Sequence, residues 1–163
     1  MKLDILFVHP NASGAIYQNL SKDHSAIEPP IWAAMLANHC RSRGFTVAIL
    51  DCEADRLDYK SSVDLILDYK SRLVCFVVYG QQPSASTQNM QGAVDIAELL
   101  KETNPNIKTL FLGGHISALP RETLSTESSI DMVCLNEGVY TLSNLLCVTD
   151  LNDEKQLSKI KGL

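Results

Sequence analysis

An open α/β fold, with a parallel sheet covered by helices on both faces, is predicted from three features of the sequence. Five short apolar runs alternate with stretches of helical periodicity. Three of these runs, residues 5–8, 73–79 and 110–112, are almost continuously apolar, which is typical of parallel strands buried on both faces. The chain has 163 residues, the length of one domain. Together these features favour a single doubly wound sheet.

The five apolar runs are the expected strands. They lie at residues 3–10, 46–50, 73–79, 108–112 and 130–135. The helical stretches between them are long enough to connect parallel strands, and such crossovers are right-handed. Five strands in one domain favour the flavodoxin-like strand order 2-1-3-4-5 over the order of dinucleotide-binding domains.

Helical patterns fill the segments between the strands. The first helix is expected to open at Pro29 and Pro30, because proline suits a first turn, and to end at Gly44 in a left-handed C-terminal conformation. Its buried stripe is expected to contain Trp32, Met35, Leu36, His39 and Cys40. Further helices are expected at residues 61–71, 88–103, 120–126 and 140–148. Residues 1–150 then form one domain, and the polar segment 151–163 is a linker or tail.

Composition argues against several classes of protein. The net charge is −5 and no basic cluster is present, so nucleic-acid binding is not expected. No apolar run approaches the ~20 residues that span a bilayer, and no secretion signal is visible, which predicts a cytoplasmic location. The five cysteines are irregularly spaced without a Cys-x-x-Cys pair, so neither a disulfide framework nor a metal clip is indicated. Cys75 and Cys134 are expected to be core residues.

The candidate site is the set of loops at the carboxyl ends of the strands, where open α/β sheets bind their ligands. The loop at residues 9–28 is unusually long, and long loops in compact domains are often functional. Gly113-Gly114 fits either a tight turn for helix packing or a surface on which a flat ligand lies. Ser84, Ser86 and Thr87 fit either helix capping or hydrogen bonds to a ligand.

Several familiar motifs are missing from the sequence. No Gly-x-Gly-x-x-Gly follows the first strand, which argues against a nicotinamide dinucleotide site. His9-Pro10 occupies the place where a response-regulator receiver carries acidic residues. Neither a Gly-x-Ser-x-Gly nucleophile elbow nor a His-Glu-x-x-His zinc motif occurs.

Four segments nevertheless occur in the order and spacing of a known family. They are Pro29-Pro30, residues 44–51 (GFTVAILD), residues 112–124 (LGGHISALPRETL) and residues 131–142 (DMVCLNEGVYTL). This pattern resembles the N-terminal cobalamin-binding domain of cobalamin-dependent (class B) radical S-adenosylmethionine enzymes, and it extends over about residues 2–147. Residues 160–163 (IKGL) resemble the start of the linker that precedes the catalytic barrel in such enzymes.

The resemblance implies a flavodoxin-like domain with cobalamin at the carboxyl ends of the strands. The corrin ring lies over the loops, and the dimethylbenzimidazole tail runs between the sheet and its flanking helices. The cofactor-binding residues that it implies are Pro10, Asn11, Tyr79, Gln81, Ser84, Ser86, Thr87, Gly113, Gly114, His115, Glu137 and Gly138. The stretch His9-Pro-Asn-Ala-Ser-Gly14 lacks the Asp-x-His-x-x-Gly spacing of histidine-ligated cobalamin domains, so a base-off, histidine-off cofactor is expected.

No Cys-x-x-x-Cys-x-x-Cys motif is present, so S-adenosylmethionine and an iron–sulfur cluster are expected only in a separate catalytic domain. The expected partner is that C-terminal radical S-adenosylmethionine domain of the same parent chain. The resulting hypothesis is a domain that holds methylcobalamin for methyl transfer to an unactivated carbon. Two alternatives remain: a cofactor-free interaction or regulatory domain of the same fold, and a flavin or nucleotide binder.

Overall fold

The computed structural model describes residues 3–11, 27–80 and 83–163. Its strands are β1 (Ile5–His9), β2 (Val47–Asp51), β3 (Leu73–Val78), β4 (Lys108–Gly113) and β5 (Met132–Cys134). Its helices are α1 (Ile31–Ser42), α2 (Tyr59–Asp68), α3 (Pro83–Thr103), α4 (Gly114–Ala118), α5 (Pro120–Thr126), α6 (Val139–Leu146) and α7 (Glu154–Leu157).

The five strands form one parallel sheet in the order β2-β1-β3-β4-β5. The predicted fold and strand order are therefore confirmed. The central strands β1 and β3 are buried along their whole length, as continuous apolar runs require. This order places the carboxyl ends of β1 and β3 side by side at the point where the chain turns from one half of the sheet to the other.

Helices cover both faces of the sheet. On one face α2, α3 and α4 pack side chains such as Ile66, Ala97 and Ile116 against the strands. On the other face α1 and α6 contribute Leu36 and Leu142 to a second core cluster. No helix within the described residues combines the length and apolar character needed to cross a membrane.

The buried stripe of α1 differs from the predicted one. Met35 is 57 % exposed, and Trp32 and His39 are half-buried. The residues that face the sheet are Ala33, Leu36, Ala37 and Cys40. The expectation for Met35 is wrong because the helix packs through its small side chains, which shifts the buried face by a fraction of a turn.

Five of the helices in the described residues correspond to predicted ones, whereas α4 and the short α7 were not predicted. The limits differ most for α2, which ends at Asp68 and not at residue 71, and for α3. α2 begins at Tyr59, where the Asp58 carboxylate accepts a hydrogen bond from the Ser61 N–H at 2.7 Å. α3 begins at Pro83, five residues before the predicted start at residue 88. Gly44 follows α1 with φ +91°, the predicted left-handed C-terminal conformation.

The C-terminal segment packs against the domain. Leu151 is buried, and Leu157, Ile160 and Leu163 rest on the α1 and α6 side of the core. The Leu135 N–H donates to the Gly162 carbonyl oxygen at 2.8 Å, and the Thr141 hydroxyl donates to the Lys161 carbonyl oxygen at 2.9 Å. These contacts place the segment beside the carboxyl end of β5, while its role as an interdomain linker remains a prediction.

Four of the five cysteines, including Cys75 and Cys134, are buried, and Cys147 is exposed. Burial raises the pKa of Cys40, Cys52 and Cys134 to about 11. These thiols are therefore protonated at neutral pH and behave as small apolar groups, as predicted for Cys75 and Cys134.

Candidate functional site

An apolar cleft opens at the carboxyl edge of the sheet, between the start of α1 and the ends of β1 and β3. Its volume is about 220 Å³. The residues that line it lie on three parts of the chain and are His9, Glu28, Pro29, Pro30, Ile31, Trp32, Ala33, Met35, Val77, Tyr79 and Gly80. The two prolines that open α1 thus form part of a wall of the cleft.

Two aromatic rings form the side of this cleft. Trp32 from α1 and Tyr79 from the end of β3 are stacked, with ring centroids 4.6 Å apart and planes 22° apart. Offset stacking of this kind stabilises both rings in place. Tyr79 was predicted to be a site residue, whereas Trp32 was predicted only to lie on the buried face of α1. The proline pair before Trp32 at the mouth of the site was the available signal.

Tyr79 also connects the loops around the cleft. Its hydroxyl donates to the Asn136 carbonyl oxygen at 2.9 Å, and its own carbonyl oxygen accepts from the Asn89 side chain at 3.1 Å. Burial, followed by the nearby Glu137 carboxylate, raises the pKa of Tyr79 to about 12. The hydroxyl therefore stays protonated and keeps donating at physiological pH.

His9 ends β1 and is only 8 % exposed. Its Nδ1 lies 3.0 Å from Oδ1 of Asp51, the last residue of β2. Because a carboxylate can only accept, Nδ1–H donates, which orients the ring and leaves Nε2 as its remaining polar atom. Asp51 Oδ1 also accepts the Ala54 N–H at 3.1 Å, so the carboxylate is itself held in place.

The glycine turn after β4 packs closely against β3. A Cβ at Gly113 would overlap the Val78 carbonyl oxygen, whereas one at Gly114 would meet Ser86 Cβ at an ordinary 3.5 Å. Ser86 is 1 % exposed; its hydroxyl donates to the Val78 carbonyl oxygen and accepts the His115 N–H at 3.0 Å. Ser86 thus joins β3, α3 and the turn, and it satisfies a first-turn N–H of α4 rather than one of α3.

Beside this turn, Thr87 Oγ1 lies 3.1 Å from Nδ1 of His115. The pair is at the surface and is available to a ligand on the carboxyl edge. Ser84 is also exposed, one residue into α3. The structure therefore brings Ser86, Thr87, Gly113, Gly114 and His115 into one cluster, as the sequence predicted from their places after β3 and β4.

The loop between β5 and α6 holds Glu137 and Gly138. Gly138 has φ +70°, and a Cβ there would stand 2.9 Å from both Cys134 Sγ and Leu112 Cδ1. Glu137 is exposed, and the preceding Asn136 donates its N–H to the Ser117 hydroxyl at 2.9 Å. Gly138 is therefore required by packing, and Glu137 faces solvent.

Pro10, Asn11 and Gln81 are the remaining residues of the predicted site. Pro10 is buried at the end of β1, and the Asn11 side chain donates to the Leu57 carbonyl oxygen at 3.2 Å, toward the β2 side of the edge. Gln81 lies outside the described residues, as does most of the long loop at residues 9–28. Among the described residues, no group of three His, Cys, Asp or Glu side chains is placed to hold a metal ion.

Two kinds of surface lie on the same carboxyl edge of the sheet, on either side of the end of β3. One is the apolar, aromatic-lined cleft, and the other is the cluster of hydrogen-bonding groups around His115.

Comparisons with known proteins identify the family of the chain. The B12 binding domain family model matches residues 25–146. The chain is 27 % identical over 148 residues to the anaerobic magnesium-protoporphyrin IX monomethyl ester cyclase of Rubrivivax gelatinosus, with 90 % of this chain and 24 % of that protein aligned. It is 27 % identical over 161 residues to an uncharacterised methyltransferase of Pyrococcus horikoshii, with 99 % of this chain and 32 % of that protein aligned. The chain thus spans a third or less of the length of these relatives.

Solved structures share the fold. The radical S-adenosylmethionine methyltransferase TsrM of Kitasatospora setae, solved with cobalamin and a [4Fe-4S] cluster bound, superimposes with a TM-score of 0.65 at 20 % identity. The alignment includes 90 % of this chain and 24 % of TsrM. Together with the relatives above, the B12 binding domain model confirms the resemblance noted from the sequence. That model matches most of the chain and shows that the chain belongs to this family.

Proposed function

We propose that this domain binds cobalamin on the carboxyl edge of its sheet and presents methylcobalamin to a radical S-adenosylmethionine domain for methyl transfer to an unactivated carbon. The observation that carries the proposal is the apolar cleft of Trp32 and Tyr79, which lies at the ligand-binding edge of a chain that belongs to the B12-binding family. Relatives that are three or more times longer support a further domain as the partner.

In this proposal the residues of the domain bind and orient, and the cofactor supplies an alkyl-transferring cobalt centre. The cleft excludes water from one part of the cofactor through Pro30, Trp32 and Tyr79. The Thr87–His115 pair offers hydrogen bonds to polar groups at the rim of the ring. Ser86 acts indirectly, because its buried hydroxyl holds His115 and β3 together.

The remaining residues of the proposed binding set either pack against the edge of the sheet or offer polar groups there. Pro10, Tyr79, Gly113 and Gly138 shape the edge through packing, while Asn11, Ser84 and Glu137 add polar groups around it. Gln81 lies outside the described residues and stays in the proposed set on its place in the sequence alone. Residues 1–150 are the binding domain in this proposal, and residues 151–163 lead to the catalytic domain, which carries S-adenosylmethionine and the iron–sulfur cluster.

Retention of cobalamin by the purified chain tests the proposal. After incubation with hydroxocobalamin and desalting, we expect the protein fraction to keep the visible absorbance of the corrin in about equimolar amount. Flavin mononucleotide treated in the same way is the control and should wash out. Loss of the corrin from a folded protein would favour an interaction or regulatory domain, and retained flavin would favour a flavin binder.

The axial ligand of the cobalt is the finer part of the proposal. The stretch after β1 lacks the Asp-x-His-x-x-Gly spacing, and Pro10 restricts the backbone directly after His9, so we propose that neither His9 nor the cofactor's own base binds the metal. His9 is the histidine to test, because its Nδ1 donates to Asp51 and its Nε2 remains as a possible ligand atom. Electron paramagnetic resonance of the bound cob(II)alamin form should then lack the nitrogen superhyperfine splitting of the free cofactor.

Isotope labelling separates the two ways in which this could fail. If splitting persists and changes when the protein is labelled with the heavy isotope of nitrogen, a histidine is bound, and loss of the splitting in His9→Ala would identify it as His9. If splitting persists unchanged in labelled protein, the cofactor's own base is bound. Either result contradicts the base-off, histidine-off state.

A further inference from the structure

We infer that the C-terminal segment, residues 151–163, positions Tyr79 by holding the β5–α6 loop (residues 135–138) in place. Gly162 and Thr141 are the positioning residues. Neither is among the described residues that line the cleft, so each acts on it through the loop. The effect on Tyr79 can be measured without a ligand, whereas the effect on cofactor affinity rests on the proposed cobalamin binding.

The C-terminal segment is hydrogen-bonded to the chain on both sides of residues 136–138. The Gly162 carbonyl oxygen accepts the N–H of Leu135, the residue directly after β5, at 2.8 Å. The Lys161 carbonyl oxygen accepts the hydroxyl of Thr141, in the first turn of α6, at 2.9 Å. The segment therefore holds the start of the loop and the start of the helix that follows it.

The backbone of the loop is in a conformation that needs such support. Asn136 has φ +55°, which is uncommon for a residue other than glycine and persists where surrounding contacts enforce it. Its N–H donates to the Ser117 hydroxyl at 2.9 Å, and its carbonyl oxygen accepts the Tyr79 hydroxyl at 2.9 Å. The bond from Leu135 to Gly162 fixes the residue just before it. Displacement of Gly162 should therefore move the Asn136 carbonyl group.

The Asn136 carbonyl group connects the loop to the aromatic pair of the cleft. The ring of Tyr79 is stacked on Trp32 with centroids 4.6 Å apart, and the hydroxyl of the same ring is bonded to Asn136. Trp32 is the single tryptophan of the chain. Its fluorescence therefore reports the geometry of the pair without a signal from any other indole.

Replacing Gly162 with alanine tests the inference. Gly162 has φ +85°, and an added Cβ would stand 2.7 Å from Thr141 Oγ1, so the variant should displace the segment from α6. We expect the Trp32 emission of the apo protein to move to longer wavelength, because a loosened stack exposes the indole to water. We also expect the dissociation constant for cobalamin, from absorbance titration, to rise at least about fivefold.

Gly44→Ala is the matched control. Gly44 also has a left-handed backbone, φ +91°, but no atom lies within 4 Å of its added Cβ, and it follows the far end of α1. It should leave the Trp32 emission and the cobalamin affinity unchanged. Thr141→Val, which removes the hydroxyl bonded to Lys161 and keeps the branched shape, should shift the emission in the same direction as Gly162→Ala. Circular dichroism verifies that each variant is folded.

The Tyr79 hydroxyl is the connection that separates this inference from a general loosening of the domain. Tyr79→Phe keeps the stacked ring and removes the bond to Asn136. In that background Gly162→Ala should add little further change to the Trp32 emission, since the two substitutions break the same connection. A full additional shift in the double variant would contradict the inference.

The remaining outcomes distinguish this inference from the proposed function. Unchanged Trp32 emission in folded Gly162→Ala, or in folded Thr141→Val, would overturn the inference while leaving cobalamin binding intact. A shifted emission with an unchanged dissociation constant would overturn its extension to the cofactor. If the emission shifts and the folded parent chain retains no corrinoid, the positioning of Tyr79 is supported and the proposed function itself is wrong.

Discussion

Replacing Gly113 with alanine should destabilise the domain by about 3 kcal/mol or more, the upper range for overpacking a closed core. The added Cβ would overlap the Val78 carbonyl oxygen, and it would also stand 3.1 Å from Ser86 Oγ. The obstacle is strand backbone, which cannot rotate away, so β3 and β4 must separate. Urea denaturation of the apo protein measures the loss of unfolding free energy.

Gly114→Ala is the matched control for this prediction. A Cβ at Gly114 meets Ser86 at 3.5 Å or more, an ordinary contact, and the position begins α4, where alanine is favoured over glycine. Its stability should stay within about 0.5 kcal/mol of the parent chain. Equal stabilities for the two variants would show that Gly113 is not needed for the approach of β4 to β3.

Gly138→Ala should lower the free energy of unfolding by about 3 kcal/mol through two separate effects. The residue has φ +70°, a left-handed conformation that costs an L-residue about 1 kcal/mol or more. In addition, the Cβ would press on Cys134 Sγ and Leu112 Cδ1, each 2.9 Å away, and displacing packed core atoms typically costs about 1–3 kcal/mol. Thermal and urea unfolding of the apo protein measure the sum.

Gly44→Ala isolates the first of these effects. Gly44 has φ +91°, but no atom lies within 4 Å of its added Cβ. Gly44→Ala should therefore lower the free energy of unfolding only by the cost of the left-handed backbone, about 1 kcal/mol. If Gly44→Ala and Gly138→Ala lower the free energy of unfolding equally, the contacts of Gly138 with the core contribute nothing. The prediction for Gly138 is then wrong.

Much of the fold could be predicted because its signals are local. Continuous apolar runs marked β1, β3 and β4, and their alternation with helical crossovers predicted a parallel sheet. The left-handed end of α1 at Gly44 was likewise visible as a glycine after the last periodic residue. Each of these features depends on neighbours in the sequence, so the sequence carries them directly.

The buried face of α1 was predicted less accurately than the strands. Trp32, Met35 and His39 fit an apolar stripe as well as Ala33 and Ala37 do, because helical periodicity is satisfied by adjacent stripes. The choice depends on how closely the helix approaches the sheet. The small side chains of Ala33 and Ala37 allow close approach, which leaves Met35 in solvent and directs Trp32 toward Tyr79.

The two interpretations of the glycine turn were also undecided until its neighbours were known. Gly113 is required by the Val78 backbone, while Gly114 has room for a side chain. Capping of the helix that follows β3 was a reasonable expectation for Ser86, but its hydroxyl bridges the Val78 carbonyl oxygen and the first-turn N–H of His115 in α4. Both answers depend on contacts between segments that are separate in the sequence.

The sequence by itself determined the parallel sheet and the family, since apolar runs, turn residues and motif spacing are properties of contiguous residues. It favoured the strand order only through the number of strands in one domain, and the structure then showed that order. Only the tertiary structure decided the site. It pairs His9 with Asp51 and stacks Trp32 on Tyr79, residues that lie on different strands and helices. The physical reason is that such pairs form only once the sheet has set the register of β1 with β2 and β3, and side-chain orientation at that edge then follows from packing.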